Sequence, residues 1–245
     1  MRVNDGLPDP ARILAETDWS ALEQDYGSSA FPETPARLSG LVSGDPDTVR
    51  AALSHLDDTL VNDGVVYSAT APAARYVAAL LGDPRSRPAI TPEWEAGRYP
   101  LRGRLLAWLG AVAYAVGESK EQWIRSMTGS TEPFTRFLEI RGSYPEIFPS
   151  VAAYLDDPDP RVRETAVVVA ARLLEPAAMA SHRAALAPLV RNVLAVSAEQ
   201  EHRRFAIETL ESWGEDVESL RGLAGPPPAE PRWTGPEGPI DEPPF

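Results

Sequence analysis

Residues 156–174 read Asp156-Asp157-Pro158-Asp159-Pro160-Arg161-Val162-Arg163-Glu164-Thr165-Ala166-Val167-Val168-Val169-Ala170-Ala171-Arg172-Leu173-Leu174, and this stretch decides the fold. Proline cannot continue the helix before it, but it fits the first turn of the next. An aspartate beside it offers its carboxylate to the free amides there and suits the positive end of the helix dipole. Beyond the turn, Val162, Ala166, Val169, Ala170 and Leu173 fall on one face at helical spacing. The stretch therefore reads as a tight break between two antiparallel helices, with Asp159 as N-cap of the second.

The same device stands earlier, one residue shorter, as Asp45-Pro46-Asp47-Thr48-Val49-Arg50, where Asp47 is the expected N-cap. Further on, Arg203, Ala206, Leu210 and Trp213 repeat the phase of Arg163, Ala166, Ala170 and Leu173. Two more amphipathic stripes run through Leu186, Leu189, Val190, Val193 and Leu194, and through Leu101, Leu105, Trp108, Leu109, Val112 and Val116. Alternation of period two is scarce, so an all-α fold is expected. Four helix pairs follow: Pro32–Val42 with Asp47–Val61, Pro72–Leu81 with Leu101–Val116, Pro145–Leu155 with Pro160–Leu174, and Ser181–Val196 with Glu199–Trp213. Residues 9–26 are expected to cap the N-terminal end. Each pair leaves an apolar face that its neighbour must bury.

The run Asp-Pro-Asp-Pro-Arg-Val-Arg, followed by Ala166 and Ala170, resembles the second helix of a HEAT repeat. The segments Asp18-Trp19-Ser20-Ala21-Leu22 with Tyr26-Gly27, and Val66-Tyr67-Ser68-Ala69-Thr70-Ala71-Pro72, are similar to a bacterial, actinobacterial-type group of HEAT-like proteins. The resemblance implies a right-handed α-solenoid of about four helix pairs over residues 18–221. An extension at 1–17 precedes it and a proline-rich tail at 222–245 follows it. HEAT arrays mostly bind other macromolecules, so the resemblance implies an interaction protein without catalytic residues or cofactor.

Composition narrows the function classes. There are 245 residues, no cysteine and three histidines, His55, His182 and His202, well apart in sequence. Thiolate zinc sites, cysteine nucleophiles and disulfide scaffolds are excluded. Of 23 basic residues only Lys120 is lysine, which reads as high-GC coding. The longest apolar run, Leu105 to Val116, is short of the roughly 20 residues a membrane span needs. With no export signal visible, a cytoplasmic location is expected.

Net charge is −13, unevenly placed. Residues 1–63 carry 12 acids and 4 arginines, 64–145 carry 7 acids and 10 bases, and 146–245 carry 17 acids and 9 bases. Two acidic ends thus flank a mildly basic middle. Phosphate neutralisation supplies most of the affinity of a duplex-DNA binder, so this balance argues against nucleic acid. It favours a basic protein partner, because opposite charge speeds association. Size and acidity also resemble those of immunity or adaptor proteins that sit on toxins or enzymes.

Two departures from the repeat are the candidate sites. Residues 82–100 separate the helices of one pair and carry four prolines with Trp94, Tyr99, Arg85, Arg87 and Arg98. Together with Arg102 these six are the candidate partner-binding residues, since aromatics and arginine are typical interface anchors. Residues 117–144, with Trp123, Phe134 and Phe137, are expected to add one or two short helices. The tail from Gly225 holds eight prolines in 21 residues, a composition that predicts disorder. Asp156, Asp157 and Asp159 lack the spacing and glycine of a cation loop and suit capping. Glu93 and Glu95 flank Trp94 without a partner motif for acid–base work. A second reading, a HEAT-like DNA glycosylase or nucleic-acid binder, rests on Arg85, Arg87, Arg98, Arg102 and Arg104 with Trp94 and Tyr99 interleaved. No glycosylase motif accompanies them.

Overall fold

The computed structural model describes residues 7–24, 33–90, 99–129 and 134–224, together with the backbone of 234–235 and 238–239. The described chain is mostly α-helical. Pro10–Glu16 (α1) leads into Thr34–Gly40 (α2) and Pro46–His55 (α3). Thr70–Leu80 (α4) and Leu101–Ala115 (α5) come next, then Glu118–Thr128 (α6) and Thr135–Gly142 (α7). Tyr144–Ala152 (α8), Pro160–Leu173 (α9), Arg183–Val196 (α10) and Gln200–Ser212 (α11) complete the helices. Among the described residues, no helix is long and apolar enough to cross a membrane.

Helices expected to pair do pack together: α2 on α3, α4 on α5, α8 on α9 and α10 on α11. Neighbouring pairs meet helix to helix, α4 on α8, α5 on α9, and α9 on both α10 and α11. The N-terminal helix α1 lies against α4, the first helix of the second pair. Helix α5 sits at the centre. Leu105, Leu106, Trp108, Leu109, Val112 and Ala115 are all buried, so its apolar surface runs almost all round. At Gly110 the helices come close enough that a Cβ would stand 3.0 Å from Val169 Cγ2 of α9.

Aspartates preceding proline do the capping. Asp159 accepts the Arg161 amide at 2.9 Å, as expected. For α3 the N-cap is Asp45, not Asp47: its carboxylate takes the Thr48 amide at 2.9 Å, while Asp47 pairs with Arg50 at 2.6 Å. Proline fixes the first helical position, so the cap falls on the residue immediately before it. Asp9 and Asp83 cap Ala11 and Arg85 in the same way. Asp157 instead accepts the Asp159 amide at 2.9 Å, tightening the turn.

The helix expected to run to Val61 stops sooner. After α3 the backbone widens into a single π turn, Leu56–Leu60, and then forms a hairpin. Val61–Asn62 (β1) pairs with Val65–Val66 (β2) across Asp63 and Gly64, both at positive φ. That is the two-residue turn for which Asp-Gly is a strong signal. A second two-residue ladder, Ala89–Ile90 (β3) with Tyr99–Pro100 (β4), closes the base of the 82–100 insertion. Within the tail, Thr234–Gly235 (β5) pairs with Gly238–Pro239 (β6). The remaining tail residues from 225 onward lie outside the described residues, as does the expectation placed on them.

Insertion 117–144 supplies α6 and α7. Glu121 fastens them: one carboxylate oxygen accepts from Arg125 at 2.6 Å, the other from Arg141 of α7 at 2.7 Å. These bonds, Arg125's foremost, hold the Glu121 carboxyl below its usual range against the opposing effect of burial. A depressed carboxyl stabilises the fold above the ordinary carboxylate range and loses that contribution as pH falls through its folded value.

Two outcomes follow from this packing. Glu121→Gln is expected to lower the urea midpoint at neutral pH and to shrink the drop in midpoint between neutrality and about pH 3. An unchanged pH dependence would show that the bridge is energetically idle. Ala166 is fully buried, so Ala166→Asp places an unpaired charge in the core and should cost on the order of 3–5 kcal/mol. A melting temperature equal to the parent's would refute that placement.

Candidate functional site

Helices α5, α9 and α11 leave an open groove between them. On α5 its floor is Ala107, Ala111 and Tyr114, spaced along the one side that the core does not cover. Two adjoining hollows of about 1020 and 510 Å³ share Tyr114, Arg172 and Phe205. Tyr114 is 60% exposed although it belongs to an apolar helix.

At the junction of the hollows stands Arg172. Its guanidinium carbon lies 5.0 Å from the ring centre of Tyr114 on α5 and 4.2 Å from that of Phe205 on α11. Burial pulls its pKa below the ordinary arginine value. Nearby, the Glu175 carboxylate accepts the Glu118 amide at 3.0 Å and so caps α6. Burial, first among its influences, pushes the Glu175 carboxyl up.

The other end of the groove carries a second arginine–ring contact. Arg161 lies 4.9 Å over Tyr99, whose hydroxyl meets Thr165 Oγ1 at 3.1 Å. Across from it, Glu164 bonds His202 Nδ1 at 2.5 Å and also receives the Ser197 hydroxyl. Glu199 and Glu201 stand exposed beside them.

Tyr99 therefore lies on the groove. The remaining candidates from the sequence are placed elsewhere. Arg85 is exposed but forked onto its own neighbour, Asp83, at 2.6–3.2 Å. Arg87 is exposed. Arg102 turns inward, its side chain only 11% exposed. It donates to the Leu81 carbonyl at 3.1 Å, lies 4.5 Å over the Tyr154 ring and faces Asp157 at 3.8 Å. Arg104 pairs with Asp57. Trp94 and Arg98, with Glu93 and Glu95, lie outside the described residues. The arginines read as one grip thus include two, Arg102 and Arg104, that hold helices together.

No family model, curated protein or solved structure matches the chain.

Sequence reading passed over Tyr114, Arg172 and Phe205. Their signal was a misfit with their surroundings: a tyrosine off the buried stripe of α5, and an arginine inside an alanine–valine run. Among the described residues no cluster of acids and histidines could hold a metal.

Arg102 and Tyr114 should separate structure from surface. Arg102→Ala leaves the Leu81 carbonyl with fewer donors and should cost about 1–3 kcal/mol in chemical unfolding. Tyr114→Ala, at an exposed site, should change stability by no more than about 0.5 kcal/mol. The reverse order would remove Arg102 from the core and Tyr114 from the surface.

Proposed function

We propose that the chain is a HEAT-like, right-handed α-solenoid that acts as a non-catalytic scaffold, holding a basic protein partner in the groove along α5, α9 and α11. Pair-on-pair packing of α4–α5, α8–α9 and α10–α11 supports the solenoid reading. The observation that carries the binding reading is the groove itself. Aromatic rings from α5 and α11 are displayed at its centre, and Glu118, Glu199, Glu201 and Glu208 stand exposed along it. Aromatic side chains anchor interfaces, and an acidic rim favours a partner of opposite charge.

The nucleic-acid reading loses support from the same geometry. Phosphate contacts need arginines with donors to give. Arg102 and Arg104 are engaged within the fold, and Arg85 is held by Asp83.

Short peptides of matched length, one basic and one acidic, together with duplex DNA, test this by fluorescence anisotropy. The basic peptide should bind, and its association should slow from low to physiological salt, where screening sets in over about 8–10 Å. Phe205→Ala should weaken it at least about tenfold, or roughly 1.4 kcal/mol. Preference for DNA or for the acidic peptide would overturn the proposal.

A further inference from the structure

Within that groove, and resting on its reading as a partner surface, we infer that Arg172 is a recognition point for a carboxylate of the bound partner. The arginines around it are occupied. Arg183 donates to the carbonyls of Leu174 and Glu175 at 3.0 and 2.6 Å. Arg141 bonds the Val116 carbonyl and Glu121, both at 2.7 Å, and its one unbonded nitrogen, Nη2, is buried away from the groove's opening. The Arg172 guanidinium has neither a hydrogen bond nor an ion pair among the described residues. Two rings hold it instead, 5.0 and 4.2 Å from its guanidinium carbon.

Ring contacts position a guanidinium without engaging its N–H donors. The planar fork is then left to meet an incoming group, and a carboxylate matches it with two parallel bonds. Nearby acids do not fill this role: Glu175 is turned to the Glu118 amide, and Glu208 lines the hollow without a bond to Arg172. Those acids also set the ligand class. Glu118, Glu175 and Glu208 line the hollow together with Lys120, Arg172 and Arg183, and Arg183 is spent on backbone carbonyls, so these acids oppose the doubled charge of a dianion such as phosphate more than the single charge of a carboxylate. The carboxylate is an aspartate or glutamate side chain, or a free C-terminus, on an otherwise basic partner.

The test is the arginine Nε–Hε region of a nitrogen-15 NMR spectrum of the full chain, with Arg172→Lys assigning the cross-peak. Probes are acetate, inorganic phosphate at matched ionic strength, and two short basic peptides. One peptide has an internal glutamate and an amidated end; the other has glutamine there and a free C-terminus. The Arg172 signal should shift saturably with acetate, less with phosphate, and with one of the peptides, which identifies the carboxylate's source. Phe205→Leu keeps the guanidinium but removes a ring, and should weaken the acetate response. An Arg172 shift no larger than that of exposed Arg12, or a stronger response to phosphate, overturns the inference. If groove amides respond to the peptides while Arg172 stays silent, the inference alone falls. If no groove resonance responds to either peptide, the groove reading falls with it.

Discussion

The last carbonyls of a helix have no partner within it, and this chain answers them with side chains from neighbouring segments. Trp108 donates to the Leu56 carbonyl at 3.0 Å and Tyr76 to that of Leu38 at 3.1 Å, each beside a single cap amide, Val61 and Leu41 respectively. The Leu81 carbonyl at the end of α4 receives Tyr154 at 2.5 Å and Arg102 at 3.1 Å. Val116, after α5, is met by Arg141 of α7, and Leu174, after α9, by Arg183 of α10. Each bond ties a helix end to an element that begins later or ended earlier. Packing alone lets helices slide; a donor aimed at one carbonyl fixes their register.

Helices α9 and α11 share this device. Arg163 and Arg203 hold equivalent places in α9 and α11. Each donates to a carbonyl six residues upstream at 2.5 Å, Asp157 and Ser197 respectively. Guanidinium suits the task because it carries several donors in a rigid plane on a long stem. Arginine-for-lysine usage in this chain therefore has a structural use beyond coding bias. With helix ends fastened by these donors, the faces of α5, α9 and α11 that line the groove carry no such duty. That freedom leaves Tyr114, Phe205 and Arg172 available to the groove.

Much of this was legible locally. Asp-Pro pairs mark helix starts, and Val162, Ala166, Val169, Ala170 and Leu173 are buried as their spacing requires. The cap falls on Asp45 and not on Asp47 because Pro46 sets the first turn of α3, which leaves Asp47 inside the helix. The hairpin at 61–66 was hidden because Leu53, Leu56 and Leu60 keep helical spacing out of α3; Asp63-Gly64 was its signal. The groove was not legible, because it joins residues from 99 to 213 that meet only when α5, α9 and α11 pack. Arg102 looked like surface for the reverse reason. Its partners, Leu81, Tyr154 and Asp157, are far from it in sequence.

Chemical unfolding of four single variants, Arg141→Met, Arg163→Met, Arg183→Met and Arg203→Met, tests the fastening most directly. Methionine keeps an apolar stem and removes the donors, leaving the carbonyls unanswered. Each variant should lose about 1–3 kcal/mol of unfolding free energy. An exposed control, Arg12→Met, whose partner is Glu16 one turn away, should lose no more than about 0.5 kcal/mol. Four variants as stable as that control would contradict the claim that these donors hold the helix pairs in register.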